Sequence, residues 1–172
     1  MQRVTVRMIA GSYLAMHQDH SNRHQATPQR ASERPSSRPS VHPSQHPNVV
    51  AYKRMIAAFN ANDLGAVEAL VDPDLVYTIP GLSPIACHTR GVVQHLSMLK
   101  AARERSGGTL RLEPRAVAAD GDYLVVWGRI TAQHAGKLLD SDHCVMYRFA
   151  NGKIVEGRTV PVDQYAFDAF WS

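Results

Sequence analysis

The chain has 172 residues, enough for one domain of ordinary size, and its 44% hydrophobic and 20% charged content is that of a globular protein. Its net charge of +4 resides wholly in residues 1–47, where Arg3, Arg7, Arg23, Arg30, Arg34 and Arg38 are offset only by Asp19 and Glu33. A nucleic-acid backbone needs clustered positive charge on a folded face, so this distribution argues against a nucleic-acid partner, and no apolar run approaches the length of a membrane span.

Cys87 and Cys144 are too few for a disulfide scaffold and too far apart for a local motif; they read as buried or half-buried thiols. The opening patch VRMIA lacks the long core and cleavage site of a secretory signal, so a cytoplasmic protein is expected. Met1 to Leu14 contains no acid, which leaves a transit peptide open, as well as translation from Met8 or Met16. Residues 16–47 are dense in His, Ser, Pro, Gln and Arg and cannot bury enough apolar surface to offset chain ordering. Residues 1–47 therefore read as a disordered tail. The spacing of His17, His20, His24, His42 and His46 imposes no metal geometry.

A domain over 48–172 follows. Asn48 can cap a helix whose buried stripe is Tyr52, Met55, Ile56 and Phe59. Asn60-Ala61-Asn62 ends it; Asn62 tolerates a left-handed conformation and Asp63 can cap a second helix with Leu64, Val67, Leu70 and Val71 inward. Pro73 is expected to stop that helix, and Leu75, Tyr77 and Ile79 alternate as a strand up to a Pro-Gly turn. Gly81 to Gly91 reads as a loop, with Thr89 a cap for a third helix carrying Val92, Val93, Leu96 and Leu99 to about Arg105. Cys87, His88 and His95 match no closed zinc spacing, so no metal is expected, and the sequence calls for no cofactor.

The second half is strand-rich. Segments 109–119, 122–133, 138–149 and 153–161 are separated by the turn signals Asp120-Gly121-Asp122, His134 to Gly136 and Asn151-Gly152, the last a strong hairpin signal. Short connections make this an antiparallel meander. YLVVWGRITAQ is apolar at nearly every position of its first half, as in a strand covered on both faces. The fold class is α+β: a cone-like, curved antiparallel sheet packed on three N-terminal helices around an internal pocket. Period-two alternation groups Tyr123, Trp127 and Arg129 on one face, and sets His143 with Tyr147 opposite Asp142 and Arg148. The alternation leaves open which face points inward.

The segments AAFNANDLGAVEALVDPDLVYTIPG, CHTRGVVQHL and YRFANGKIVEGRTVPVDQYAFDAFW resemble the SnoaL-like polyketide cyclase branch of the nuclear-transport-factor-2-like, or ketosteroid-isomerase-like, superfamily. The resemblance covers residues 48–171. It implies a cone with a deep hydrophobic pocket, a homodimer and a hydrophobic, oxygenated small-molecule partner. Family members include cyclases, an isomerase, dehydratases, epoxide hydrolases and non-catalytic binding proteins, so fold alone does not select a function.

Carried over residue by residue, the isomerase type requires a tyrosine, an aspartate base and a protonated acid. Those positions fall at Met55, near Ile79 and near Val145, none with suitable chemistry. The cyclase type uses a histidine and an aspartate, which fall at Val145 and Thr159, with His143 and Asp142 near the first and Asp163 four residues past the second. The epoxide hydrolase type wants an Asp-Arg-Asp set, for which Arg129, Asp142, Arg148 and Arg158 are the available parts. Within the C-terminal VDQYAFDAFWS, Tyr165, Phe167, Phe170 and Trp171 would cover the pocket mouth or a dimer edge, and Asp163 would face the rim or cap the terminal helix.

The expected activity is acid–base chemistry of cyclase, isomerase or dehydratase type, with His143, Asp163 and Asp142 as proton-transfer candidates and Tyr77, Trp127, Tyr147 and Arg158 as pocket or oxyanion-side candidates. The alternative is a non-catalytic ligand-binding or dimeric interaction protein of the same fold.

Overall fold

The structure, a computed structural model, describes residues 45–172. The expectations for the tail up to residue 44, including His17, His20, His24 and His42, lie outside the described residues. The elements are α1 (Pro47–Ala61), α2 (Leu64–Leu70), β1 (Val71–Ile79), β2 (Cys87–Arg90), α3 (Val92–Arg105), β3 (Arg111–Asp120), β4 (Tyr123–His134), β5 (Lys137–Ala150), β6 (Lys153–Pro161) and α4 (Gln164–Trp171). The strands form one curved sheet in the order β2-β1-β6-β5-β4-β3.

Strands β3 to β6 make the expected antiparallel meander. The sheet is mixed, however, because β1 lies parallel to β6. Parallel neighbours need a long connection. The chain between them, through β2, α3 and the meander, supplies it. Asn151 and Gly152 both adopt positive φ in the β5–β6 turn, which matches the twist of the flanking strands.

Local chemistry explains both the agreements and the differences. Asn62 adopts the left-handed conformation that ends α1, and the Asp63 side chain accepts from the Ala66 N–H at the start of α2. The α1 cap is His46 rather than Asn48; Asn48 is buried, and its Nδ2 donates to the Gly121 carbonyl in the β3–β4 turn. Asn60 exchanges two hydrogen bonds with the Leu112 backbone, tying α1 to the edge strand β3. Helix α2 ends at Leu70, so Pro73 falls inside β1, at an irregularity between Val71 and Val76 where a missing N–H costs no ladder bond. The 81–91 segment is not all loop. Cys87–Arg90 pairs with β1 as β2, which places Thr89 in a strand and leaves Gly91 to precede α3.

The buried stripe of α1 is Tyr52, Met55, Ile56 and Phe59, as its spacing predicts. On α3, Val92, Leu96 and Leu99 pack against the core as expected, but Val93 is 75% exposed, and His95 and Ala102 are the fully buried positions. On the sheet, Leu124, Val126 and Ile130 of β4 and His143, Val145, Tyr147 and Phe149 of β5 face the helices. Helix α4 buries Phe167, Phe170 and Trp171 against this layer and leaves Tyr165 exposed. The Asp168 carboxylate accepts from the Leu82 and Ser83 N–H groups, and Gln164 Nε2 donates to the Pro80 carbonyl, so α4 is fastened to the β1–β2 connection. Among the described residues no helix is long and apolar enough to cross a membrane.

Candidate functional site

The inner face of the sheet, α1, α3 and α4 surround a chamber of about 70 Å³. Aliphatic and aromatic side chains such as Ile56, Phe59, Leu99, Ile130 and Phe167 form most of its wall. The polar groups in that wall are few: His143, Tyr52, Tyr77, Tyr147, Thr159 and Trp171.

His143 reaches the chamber because β5 alternates, and its ring finds room because its cross-strand partner on β4 is Gly128. A Cβ at Gly128 would lie 3.3 Å from His143 Cε1 and 2.8 Å from the Glu113 carbonyl oxygen. The imidazole is 3% exposed, and Nδ1 has no hydrogen-bond partner among the described residues. Burial lowers its pKa to about 4 against the opposing pull of the Asp142 charge, so the ring is neutral at pH 7.

Tyr77 depends on a second glycine. Gly157 on β6 sits between Tyr77 and Tyr147 in the sheet, and a Cβ there would collide with the Tyr77 ring. With that space open, the Tyr77 hydroxyl and Thr159 Oγ1 share a buried hydrogen bond of 2.7 Å. Tyr147 stacks obliquely between Tyr77 and Tyr52, with ring centroids 6.3 and 5.7 Å away. Burial raises the pKa of all three phenols, so they remain neutral hydroxyl groups. Behind Tyr77, the His95 ring packs 4.6 Å away; it too is buried, with its pKa lowered to about 4 by desolvation and Nδ1 unpartnered among the described residues.

The structure thus gathers His143, Tyr77 and Tyr147 from the expected set. It separates the others from the chamber. Asp142 points to the outer face, where its carboxylate accepts from Arg115 at 2.8 Å. Asp163 caps α4 by accepting from the Ala166 N–H at 2.9 Å, the capping option of the two foreseen. Trp127 is 41% exposed and Arg158 is exposed, both on the outer face. The reason is one of parity: each is an odd number of residues from an inward-facing neighbour on its strand. Arg129 and Asp140 pair on that same outer face beside Arg115 and Asp142, so the acid–arginine grouping is a solvent-facing network.

Ile79, Val145 and Thr159 do line the chamber, and Met55 is buried on α1. Ile79 and Val145, where the resemblance to the isomerase type would put base and acid, are aliphatic wall. Tyr52, Trp171 and the buried His95 complete the constellation beyond the expected residues. The signals that point to it are the in-strand glycines 128 and 157, each making room for a ring. Cys87 and Cys144 are free and half-buried. No three His, Cys, Asp or Glu side chains gather as a metal site requires among the described residues, and His88 instead bonds to Thr78 on an exposed surface.

A curved mixed sheet closed by helices over an apolar chamber defines the cystatin-like, NTF2-like class of α+β proteins. Within it the chain belongs to the SnoaL-like domain family, whose model matches residues 52–157. Uncharacterised proteins of Mycobacterium tuberculosis and Mycobacterium bovis are 30% identical over 122 residues, which span 70% of this chain and 92% of theirs. The structure of Bal32a, from a soil-derived mobile gene cassette, is 31% identical with a TM-score of 0.71 over 73% of this chain and 97% of that one. A Xanthomonas campestris protein of unknown function with a cystatin-like fold is 28% identical, with a TM-score of 0.69 over 73% and 98% of the two chains.

Proposed function

We propose that the protein is a small-molecule enzyme of cyclase, isomerase or dehydratase type, with His143 as the proton acceptor in the closed chamber. The observation that carries this reading is a buried, neutral imidazole in the wall of an otherwise apolar cavity that also holds phenolic hydroxyls. In its neutral form the ring is available as a base at pH 7, but desolvation also makes it a weak one. It therefore suits a carbon acid already activated by an adjacent carbonyl. His143 takes the proton, and the hydroxyl of Tyr77 or Tyr147 donates to the oxygen on which charge develops. Phe167 and Trp171 of α4 make this part of the wall apolar, a low-dielectric setting that strengthens those hydrogen bonds.

The chamber's lining supports a hydrophobic, oxygenated small molecule as the partner. A homodimer belongs to the same reading, supported by exposed apolar side chains on the outer face of β4, β5 and β6, Tyr123, Val125, Trp127, Met146 and Val160, which lie among its ion pairs. A cytoplasmic location accords with two free cysteines. The family also contains binding proteins, and one observation favours that second reading: no carboxylate lines the chamber among the described residues.

Turnover separates the two. Any small molecule retained on purification is identified by mass spectrometry, and it and related carbonyl compounds are incubated with the protein. Conversion that falls about 10²-fold or more in His143→Ala, with the fold intact, supports the enzyme. Binding without conversion across the series supports the binding protein.

A further inference from the structure

Trp171 is fully buried, lines the chamber, and its indole Nε1–H has no hydrogen-bond partner among the described residues. Buried donors are almost always satisfied, and leaving one unpaired costs on the scale of a lost hydrogen bond. An indole nitrogen can only donate. The neighbouring rings make no hydrogen bond to it among the described residues: Phe170 and Phe167 pack edge-to-face on the indole at centroid distances of 4.8 and 6.2 Å, and the His134 ring, whose Nδ1 donates to the Arg105 carbonyl, lies 6.5 Å away between centroids. The indole forms part of the chamber wall, which a ligand's acceptor would meet on entering. No lysine, arginine or carboxylate lines it among the described residues, so an ion entering would lose its hydration without gaining a counter-charge.

We infer that Trp171 is a specificity-determining residue that anchors a neutral, acceptor-bearing ligand, most simply a carbonyl oxygen on an apolar frame, through its indole N–H. This rests on the chamber being the ligand site, though not on His143 acting as a base.

The test uses the ¹⁵N-labelled full chain, with the two indole signals assigned through Trp127→Phe. Butanone, its hydrocarbon isostere 2-methylbutane, and propanoate are titrated separately while indole N–H and chamber methyl signals are followed. Butanone is expected to shift both the Trp171 indole N–H and the methyls of Ile56, Ile79 and Val145. 2-Methylbutane is expected to shift the methyls alone, more weakly, and propanoate neither. Trp171→Phe is expected to weaken butanone binding about 5- to 10-fold, the worth of one hydrogen bond, and to leave 2-methylbutane within about twofold. If butanone shifts the methyls but not the indole N–H, Trp171 is not the anchor, its donor resting on the Phe170 ring, while the chamber stands as a ligand site. Equal binding of ketone and hydrocarbon, or entry of propanoate, overturns the selectivity. If no compound shifts any chamber signal, the chamber is not a ligand site and both readings fall. Because these spectra are read on the unaltered Trp171, the result holds even if Trp171→Phe fails to fold.

Discussion

At the residue scale, two buried imidazoles set the response of the fold to acid. His95 and His143 protonate near pH 4 in the fold, against about 6.5 in an unfolded chain. Between those values the unfolded chain holds more protons, so stability is full above about pH 6.5 and falls as pH drops towards 4. Each histidine contributes about 3 kcal/mol of that loss if its pKa shift is fully realised. Urea unfolding measured from pH 7 to 4 should show this slope, and His95→Leu should remove roughly half of it; an unchanged slope in His95→Leu would contradict the burial described here. Gly157→Ala makes a steric test. The new Cβ meets the Tyr77 ring, so a loss of about 1–3 kcal/mol is expected, together with displacement of the Tyr77–Thr159 hydrogen bond. Thermal unfolding and the Tyr77 ring signals check both.

What the residues allowed one to read in advance follows from the same chemistry. The period-two pattern placed His143 with Tyr147 and apart from Asp142, because β5 alternates clearly between Asp140, Asp142 and Arg148 on one face and Val145, Tyr147 and Phe149 on the other. The pattern does not decide β4, where Tyr123, Val125 and Trp127 oppose Leu124 and Val126 and both faces are apolar. Trp127 is for that reason a pocket candidate on sequence alone, whereas it lies 41% exposed on the outer face. Asp163 shows a different limit: a carboxylate next to a helix start reads equally well as a rim acid or a cap until the Ala166 N–H is seen bonded to it.

At the scale of elements, α4 is the piece on which chamber closure depends. Asp163 caps it, the Asp168 and Gln164 contacts tie it to the β1–β2 connection, and Lys137 Nζ donates to the Ala169 and Ser172 carbonyls from β5, while Phe167 and Trp171 supply the wall. Asp163→Ala should cost about 1 kcal/mol, the usual worth of an N-cap, without abolishing activity, since the carboxylate is outside the chamber. A loss of turnover as large as that of His143→Ala would return Asp163 to the catalytic set. The short strand β2 was not legible because Cys87–Arg90 is only four residues long and flanked by loop-forming Gly and Pro. The parallel pairing of β1 with β6 was not legible either, since it joins strands separated by most of the chain and no turn chemistry records it.

For the whole molecule, composition and periodicity were enough to place helices before a strand meander, and the resemblance carried that order to a named superfamily, which the match over residues 52–157 bears out. Function was less legible because the chamber wall is mostly aliphatic and aromatic, Ile79 and Val145 included, and holds no carboxylate among the described residues. The proposed dimer is tested at this scale. If the outer face pairs two copies, Trp127→Lys combined with Met146→Glu should give a folded monomer in sedimentation velocity, while an unchanged sedimentation coefficient would place the contact elsewhere.

The central claim is that His143 performs proton transfer within the closed chamber. The most direct measurement compares turnover of the compound retained by the protein, or its nearest carbonyl analogue, in the wild type and in His143→Ala under matched binding saturation. The account predicts conversion by the wild type and at least about 100-fold slower conversion by the folded, ligand-binding variant. Equal turnover in the two proteins would contradict it.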